Sequence, residues 1–173
     1  MSTTALAPTP TDDSVAAATT ARYRAAGAAK NIEELLATFA PDVTFHSPIT
    51  DRISFSGHDE MRALLHEVFA TIDEISYFAD TGDARIRTVY DRTTVAGQPL
   101  EQATRLELND AGQIADITVF FRPLPGLATF AVALAPRVTA AKHGPVRAAL
   151  ARILLAPLGV MTRLGDKLVP WFA

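Results

Sequence analysis

No cysteine occurs among the 173 residues. Its absence excludes disulfides, thiolate nucleophiles and cysteine-ligated metals, and such usage suits a reducing cytoplasm, the expected location. A secretory leader is not expected either. Met1 to Pro10 is rich in Thr, Ala and Pro, without a basic segment or an apolar run, so residues 1–12 are expected to form a disordered tail. The longest uncharged stretch towards the C-terminus, Pro123 to Pro136, falls short of the roughly 20 residues a bilayer crossing needs.

Metal motifs are equally scarce. His66-Glu67-Val68-Phe69 is followed by Ala70, not by the second histidine of H-E-x-x-H. His58 and His66 lie two helical turns apart, and neither His46 nor His58 has an acidic partner at ligand spacing. No metal and no cofactor is expected. The net charge of −3 is unevenly spread, because residues from Pro123 onward hold six basic groups against Asp166 alone. The preceding acidic body has no stripe of basic and aromatic residues, which argues against nucleic acid as a partner.

What is present is ordinary globular composition, 49% hydrophobic and 20% charged, at a length that fits one domain. Ser14–Ala29 is expected to be an alanine-rich helix behind Asp12 and Asp13. Asn31 caps a second helix, with Glu34 completing a capping box; Ile32, Leu35, Leu36 and Phe39 share one face, and Pro41 ends it. Asp42–Ser47 has strand composition. A third helix spans His58–Ala70, with Met61, Leu64, Leu65, Val68 and Phe69 as its buried stripe. The period then changes to alternation over Glu74–Asp80, Ala84–Val95, Leu100–Leu108 and Gln113–Arg122, punctuated by turn residues at Ala96-Gly97-Gln98 and Asn109–Gly112. Helices followed by hairpin-linked strands predict an α+β fold with a curved antiparallel sheet.

Several segments carry a resemblance that covers about Val15 to Pro125. They are Ala21-Arg22-Tyr23, the run from Asn31 through Phe39-Ala-Pro-Asp-Val-Thr-Phe-His-Ser-Pro48, Phe55-Ser-Gly-His-Asp-Glu-Met-Arg62, Leu106 to Ile114, and Phe120-Phe-Arg-Pro-Leu124. In order and spacing the chain resembles the superfamily of nuclear transport factor 2, ketosteroid isomerase and the SnoaL-like polyketide cyclases. The resemblance implies a cone-shaped sheet wrapped by three N-terminal helices over residues 13–125, with a pocket inside. It also places Tyr23 where ketosteroid isomerases keep their leading oxyanion donor. Ser47 then stands at the catalytic base and Thr104 at the second donor, where those enzymes have carboxylic acids. The final-strand acid of SnoaL-like cyclases and epoxide hydrolases is Val119 here, while Asp91-Arg92 offers part of an epoxide-hydrolase set. A serine without a base partner cannot replace a carboxylate near neutral pH, so ordinary steroid isomerase chemistry is not expected.

Tyr23, Ser47 and Thr104 are the polar candidates for the pocket, with Phe39, Phe45, Leu106, Val119 and Phe121 as apolar lining and Tyr77 and Tyr90 as strand aromatics that line it or pack beneath a helix. Ser47 and Thr104 either bind a ligand oxygen or satisfy backbone groups. His46 alternates out of the pocket. Asp51 and Arg52 follow the first strand, either gating the mouth or forming a solvated loop.

Residues 126–173 are expected to form an added helical extension, with helices over Ala128–Ala141 and Pro145–Leu155 and breaks or starts at Pro136, Gly144-Pro145 and Pro157. Val146, Leu150, Ile153 and Leu154 make a stripe, and Leu164, Leu168, Trp171 and Phe172 continue the apolar supply. Packing on the domain is the default way to cover them; a homodimer interface and a peripheral membrane contact are the alternatives. Three functions follow. The favoured one is a pocket that binds a small apolar molecule (polyketide-, steroid- or acyl-like), because the family's carboxylates are absent from their places. The second is an isomerase, cyclase or dehydratase in which Tyr23 polarises a carbonyl and Asp51 is the base. The third is a dimeric structural or interaction domain.

Overall fold

The computed structural model describes residues 10–168 and residue 171. Residues 1–9 of the expected tail, and Phe172, lie outside the described residues. Helix α1 runs Pro10–Ala28, so it begins before Ser14 and takes in the last residues assigned to the tail. Helix α2 spans Ile32–Leu36, where the Glu34 N–H donates to Asn31 Oδ1 at 3.2 Å. It stops earlier than its apolar period suggested. The Thr38 hydroxyl donates to the Leu35 carbonyl at 2.7 Å, and Phe39 opens strand β1, Phe39–His46, instead of ending the helix. Long-range pairing explains the change. Ile114 N–H donates to Thr38 O at 3.0 Å and Phe39 lies opposite Ile114, so a distant strand extends the chain where local periodicity alone favoured another turn. Pro41 is therefore a strand residue, not a helix stop.

Strand β2, Ser54–Ser56, was not expected, its alternation being limited to one buried residue, Phe55, between two exposed serines. It leads directly into α3, Gly57–Phe69, whose Glu60 carboxylate accepts from Ser56 N–H at 2.8 Å. Strands β3 (Ser76–Gly82), β4 (Ile86–Val95), β5 (Gln98–Leu108) and β6 (Ile114–Arg122) follow as hairpins. The six strands form one curved, unclosed sheet in the order β2-β1-β6-β5-β4-β3. The sheet is mixed, not purely antiparallel: β1 runs parallel to β6, and the other neighbours are antiparallel. The intervening β2, α3 and hairpins supply the long return that a parallel pair requires.

Alternation decides what enters the core. Val43, Val89, Leu106, Ile117 and Val119 point from the sheet towards Ala16, Leu35, Leu36, Met61 and Leu64 of the three helices. Helix α1 is tied to the sheet by a polar clasp as well. Asp80 accepts from Thr20 Oγ1 at 2.7 Å and from Arg87 Nη2 at 2.8 Å, while Arg24 Nε lies 3.5 Å from Asp80 without hydrogen-bond geometry. Farther along α1, Thr19 Oγ1 donates to Gly112 O at 2.8 Å, pinning the helix to the β5–β6 turn.

The extension forms two long helices, α4 (Leu124–His143) and α5 (Pro145–Leu168). Pro136 and Pro157, expected as breaks or starts, both sit inside helices, while Pro145 does start α5. A proline removes one helical N–H bond; at Pro136 that loss is accommodated in a buried segment packed on the domain. Phe130 and Leu134 of α4 pack on Val95 and Leu100, a second apolar cluster beyond the β4–β5 hairpin. Arg137 donates to Glu67 at 2.8 Å, and the Lys142 ammonium lies 3.5 Å from Glu60 and 4.5 Å over the Phe55 ring, so α4 is fastened along α3.

The β4–β5 turn is a two-residue loop, Ala96-Gly97, with φ of 48° and 74°. Both residues take the left-handed conformation that this hairpin type needs, and alanine is a poor choice for the first. Ala96→Asn is expected to raise unfolding free energy by about 1 kcal/mol. Gly97→Ala should lower it by a similar amount, and urea denaturation of both variants measures the pair.

Candidate functional site

The cone holds a partly open cavity of about 220 Å³, walled mainly by apolar side chains from the sheet, the N-terminal helices and α4. Phe45, Val119 and Phe121 line it from the sheet, Leu64 and Val68 from α3, and Leu134 from α4. Strand register sets its polar end. Tyr77 lies opposite Asp91, Asp91 opposite Gln102, and Gln102 opposite Phe121, giving one inward row across β3, β4, β5 and β6. Side chains so placed are neighbours about 5 Å apart at Cβ. Tyr23 of α1 reaches the same end, with its ring centroid 6.3 Å from that of Tyr77 and 6.3 Å from that of Phe39.

Asp91, read from the sequence only as part of an incomplete epoxide-hydrolase set and not placed among the pocket residues, stands at this polar end. It is 2% exposed, lines the cavity, and its Oδ2 is buried without a hydrogen-bond partner. Burial pushes its carboxyl up to about 7. A signal for it existed. Val89, Asp91, Thr93 and Val95 alternate along β4, all four buried, so the apolar positions of that strand already carried Asp91 inward. Arg92 points the other way, stacking 4.2 Å over Phe78 and donating to Glu101 at 2.9 Å. The Asp91-Arg92 pair therefore does not converge on one site.

Both tyrosines hold their protons firmly. Burial raises the Tyr23 phenol far above its usual value and the nearby Asp91 carboxylate adds to this, while hydrogen bonding with Thr104 and Tyr77 acts in the opposite direction. Tyr77 is raised as well, first by burial and then by the charges that Tyr23 and Asp91 would bear. Each hydroxyl is thus available as a neutral donor. Gly27 makes room for this arrangement, since a Cβ there would lie 2.3 Å from the Tyr77 hydroxyl.

The other expected residues divide. Phe39, Phe45, Ser47, Tyr77, Val119 and Phe121 line the cavity together with Tyr23. Ser47 Oγ also accepts the Ile49 N–H at 3.3 Å. Thr104 and Leu106 are fully buried behind the lining. Thr104 accepts from Gln102 Nε2 at 2.8 Å, so it props the donors instead of facing the space. Tyr90 is a correction: the pleat turns it to the outer face, where it packs at 6.1 Å against Phe78. Asp51 is another, for its loop borders the cavity through Thr50 and Ile53 while Asp51 itself is exposed and off the lining. A solvated carboxylate outside the cone cannot reach a ligand within it. His46 also points outward and meets an acidic partner on another strand, with Nε2 2.7 Å from Asp116 Oδ2. Among the described residues no cluster of His, Asp and Glu is grouped for a metal.

A family model described as the SnoaL-like domain matches residues 20–121. Of solved structures, a steroid delta-isomerase from Pseudomonas aeruginosa is similar at 23% identity and a TM-score of 0.66, covering 74% of this chain and 94% of that one. A protein with a cystatin-like fold from Silicibacter pomeroyi is similar at 22% identity and a TM-score of 0.64, over 78% and 92% of the two chains. An epoxide hydrolase/cyclase-like enzyme of pyran ring formation in salinomycin shares 13% identity and a TM-score of 0.55, over 64% and 93%. Likeness at these identities shows the fold alone. No curated protein matches the chain.

A carboxyl raised to about 7 by burial leaves a signature in stability. The unfolded chain releases the same proton near pH 4, so between about pH 4 and 7 the native state binds more protons than the unfolded one. Stability then falls as pH rises through that window, by about 1.4 kcal/mol per unit of raised pKa at most. Asp91→Asn abolishes this loss. The variant should gain on the parent protein as pH rises from about 4 to 8 in denaturant titrations, and parallel pH profiles would exclude a dry carboxyl.

Proposed function

The chain belongs to the SnoaL-like domain family, and we propose that it is a proton-transfer enzyme of isomerase or cyclase type, acting on a small apolar molecule that carries a carbonyl. One observation carries this reading: the buried, unpartnered carboxyl oxygen of Asp91 beside two neutral phenols at the polar end of an apolar cavity. A group poised near 7 exchanges protons readily in either direction. The similar proteins named as a steroid delta-isomerase and an epoxide hydrolase/cyclase-like enzyme support the same class of chemistry.

In this reading the ligand's apolar body lies along Phe45, Val119 and Phe121, and its carbonyl oxygen accepts from Tyr23. Ionised Asp91 takes a proton from the carbon beside the carbonyl. The electrons of that C–H bond pass into an enolate, whose oxygen Tyr23 stabilises because the donor is already aimed and dry. Protonated Asp91 then returns the proton to another carbon of the conjugated system, and the carbonyl re-forms. Asp91 takes the role the sequence reading gave to Asp51, and Thr104 with Gln102 holds Tyr23 in place. The cavity volume of about 220 Å³ lies below the roughly 300–1,000 Å³ of pockets for larger organic ligands. It suits one or two rings, or a short acyl chain, better than four fused rings.

The test uses cyclic β,γ-unsaturated ketones in deuterated water, with exchange of the α-protons followed by NMR and enone formation by absorbance. Tyr23→Phe should slow turnover about 10²–10³-fold, and Asp91→Asn about 10²–10⁴-fold. The rate should rise with pH through about 7, as Asp91 ionises. Exchange that Asp91→Asn leaves untouched rules out this base. Tight ligand retention in native mass spectrometry with no exchange at all would instead leave a binding protein.

A further inference from the structure

Helix α5 is packed with its small side chains inward and its large ones outward. Ala148 and Gly159 are buried and Ala151, Leu155 and Thr162 half-buried on the side that follows α4, where the Gly159 position faces Val132. The opposite side carries Val146, Leu150, Ile153, Val160, Met161, Leu164 and Leu168, all exposed, with Val146 at 82% and Ile153 at 70%. These positions recur at helical spacing and form one continuous stripe along a 24-residue helix, about 36 Å long. Trp171, the single tryptophan, is exposed just beyond the helix end. A face of this length would normally be covered.

Its charges indicate by what. Arg147 follows Val146 on one flank of the stripe, while Arg152 and Arg163 precede Ile153 and Leu164 on the other. Among the described residues the ion pairs use none of these three arginines. Asp166 is the one acid in α5. A second copy laid stripe to stripe would bring arginine rows against each other, which is unfavourable. An anionic bilayer surface matches both features, since acyl chains take the aliphatic face and headgroups take the arginines.

Spanning the membrane fits less well. Helices α4 and α5 are both long and apolar enough to cross one by length and composition, which corrects the expectation from the uncharged stretch. Yet α4 is committed to the domain, lining the cavity with Phe130 and Leu134 and pairing Arg137 with Glu67. Crossing by α5 would pull Arg152 into hydrocarbon at a cost of roughly 2.5–3.5 kcal/mol on insertion scales.

We propose that the outward face of α5 is a docking surface for anionic membranes, on which the helix lies flat with its aliphatic stripe among the acyl chains. Docking would set α4 between bilayer and cavity, so that an apolar ligand partitioned into the lipid is concentrated beside the site. The surface stands apart from the reaction proposed above and does not depend on it.

Full-length protein is mixed with phosphatidylcholine vesicles, with or without phosphatidylglycerol, and binding is read by sedimentation and by the emission of Trp171. Anionic vesicles should carry down the protein and shift its emission to the blue, with affinity falling as salt rises. Ile153→Asp with Leu164→Asp should abolish both signals, and these exposed positions leave the folded circular dichroism unchanged. Arg152→Glu with Arg163→Glu should weaken binding on the order of tenfold or more. The proposal is overturned by a parent protein that stays in the supernatant, or by binding that either pair of substitutions leaves intact. It is equally overturned by a dimer that the Ile153 and Leu164 substitutions split in the absence of lipid, which would assign the face to a second copy.

Discussion

Keeping a carboxyl group dry inside an apolar cone is the constraint around which this molecule is arranged. Asp91 sits in the same inward row as Tyr77, Gln102 and Phe121, and one of its oxygens has no partner. Desolvation disfavours its charge, so its proton is held to about 7, and the same desolvation keeps the phenols of Tyr23 and Tyr77 protonated. Hydroxyls and an acid in water would be unremarkable reagents. In this cavity each is shifted in the direction that makes proton exchange at one group and hydrogen-bond donation at the others feasible near neutrality.

Such a site needs rigid support, because a donor misplaced by an ångström loses most of its effect. Tyr23 is borne by a helix fixed at several points along its length. Thr19 holds the β5–β6 turn, Thr20 and Arg24 meet Asp80, and Gly27 admits the Tyr77 hydroxyl. Asp80 is paired with Arg87 on the neighbouring strand, so the acid that fastens α1 is neutralised locally. From behind, Thr104 takes the Gln102 amide and contacts the Tyr23 hydroxyl. Thr104 is therefore part of the scaffold behind the cavity, while Asp91 stands in the lining on the neighbouring strand β4.

Helix α4 joins this site to the added part of the chain. One side of it closes the cavity with Phe130 and Leu134, and α5 runs along it. The extension thus contributes to the cavity wall and at the same time turns an aliphatic, arginine-flanked face outward. Ion pairs and the Lys142–Phe55 contact fasten α4 to the domain and fix its place in that wall.

Much of this was legible from local pattern. The Asn31–Glu34 cap, the apolar stripe of α3, the alternation of four later strands and the turn chemistry between them each depend on residues a few positions apart, and they fix the α+β order. Tyr23, Ser47 and Val119 were placed at the pocket by the resemblance to ketosteroid isomerases and SnoaL-like cyclases, and they line the cavity together with Phe45. The alternation of Val89, Asp91, Thr93 and Val95 already carried Asp91 inward, but only the pairing of β4 with β3 and β5 set it beside Tyr77 and Gln102 and left Tyr90 on the outer face. Phe39 left its helical stripe because β6 offered it a ladder, and the stripe of α5 faced outward because α4 took the opposite, small-residue side. The sequence alone determined most of the elements, though not β2 or the strand start at Phe39, and which of their residues share a face. Which face was buried, and so which acid came to lie dry in the cavity, was decided by contacts between residues far apart in the chain, whose energies no local window contains.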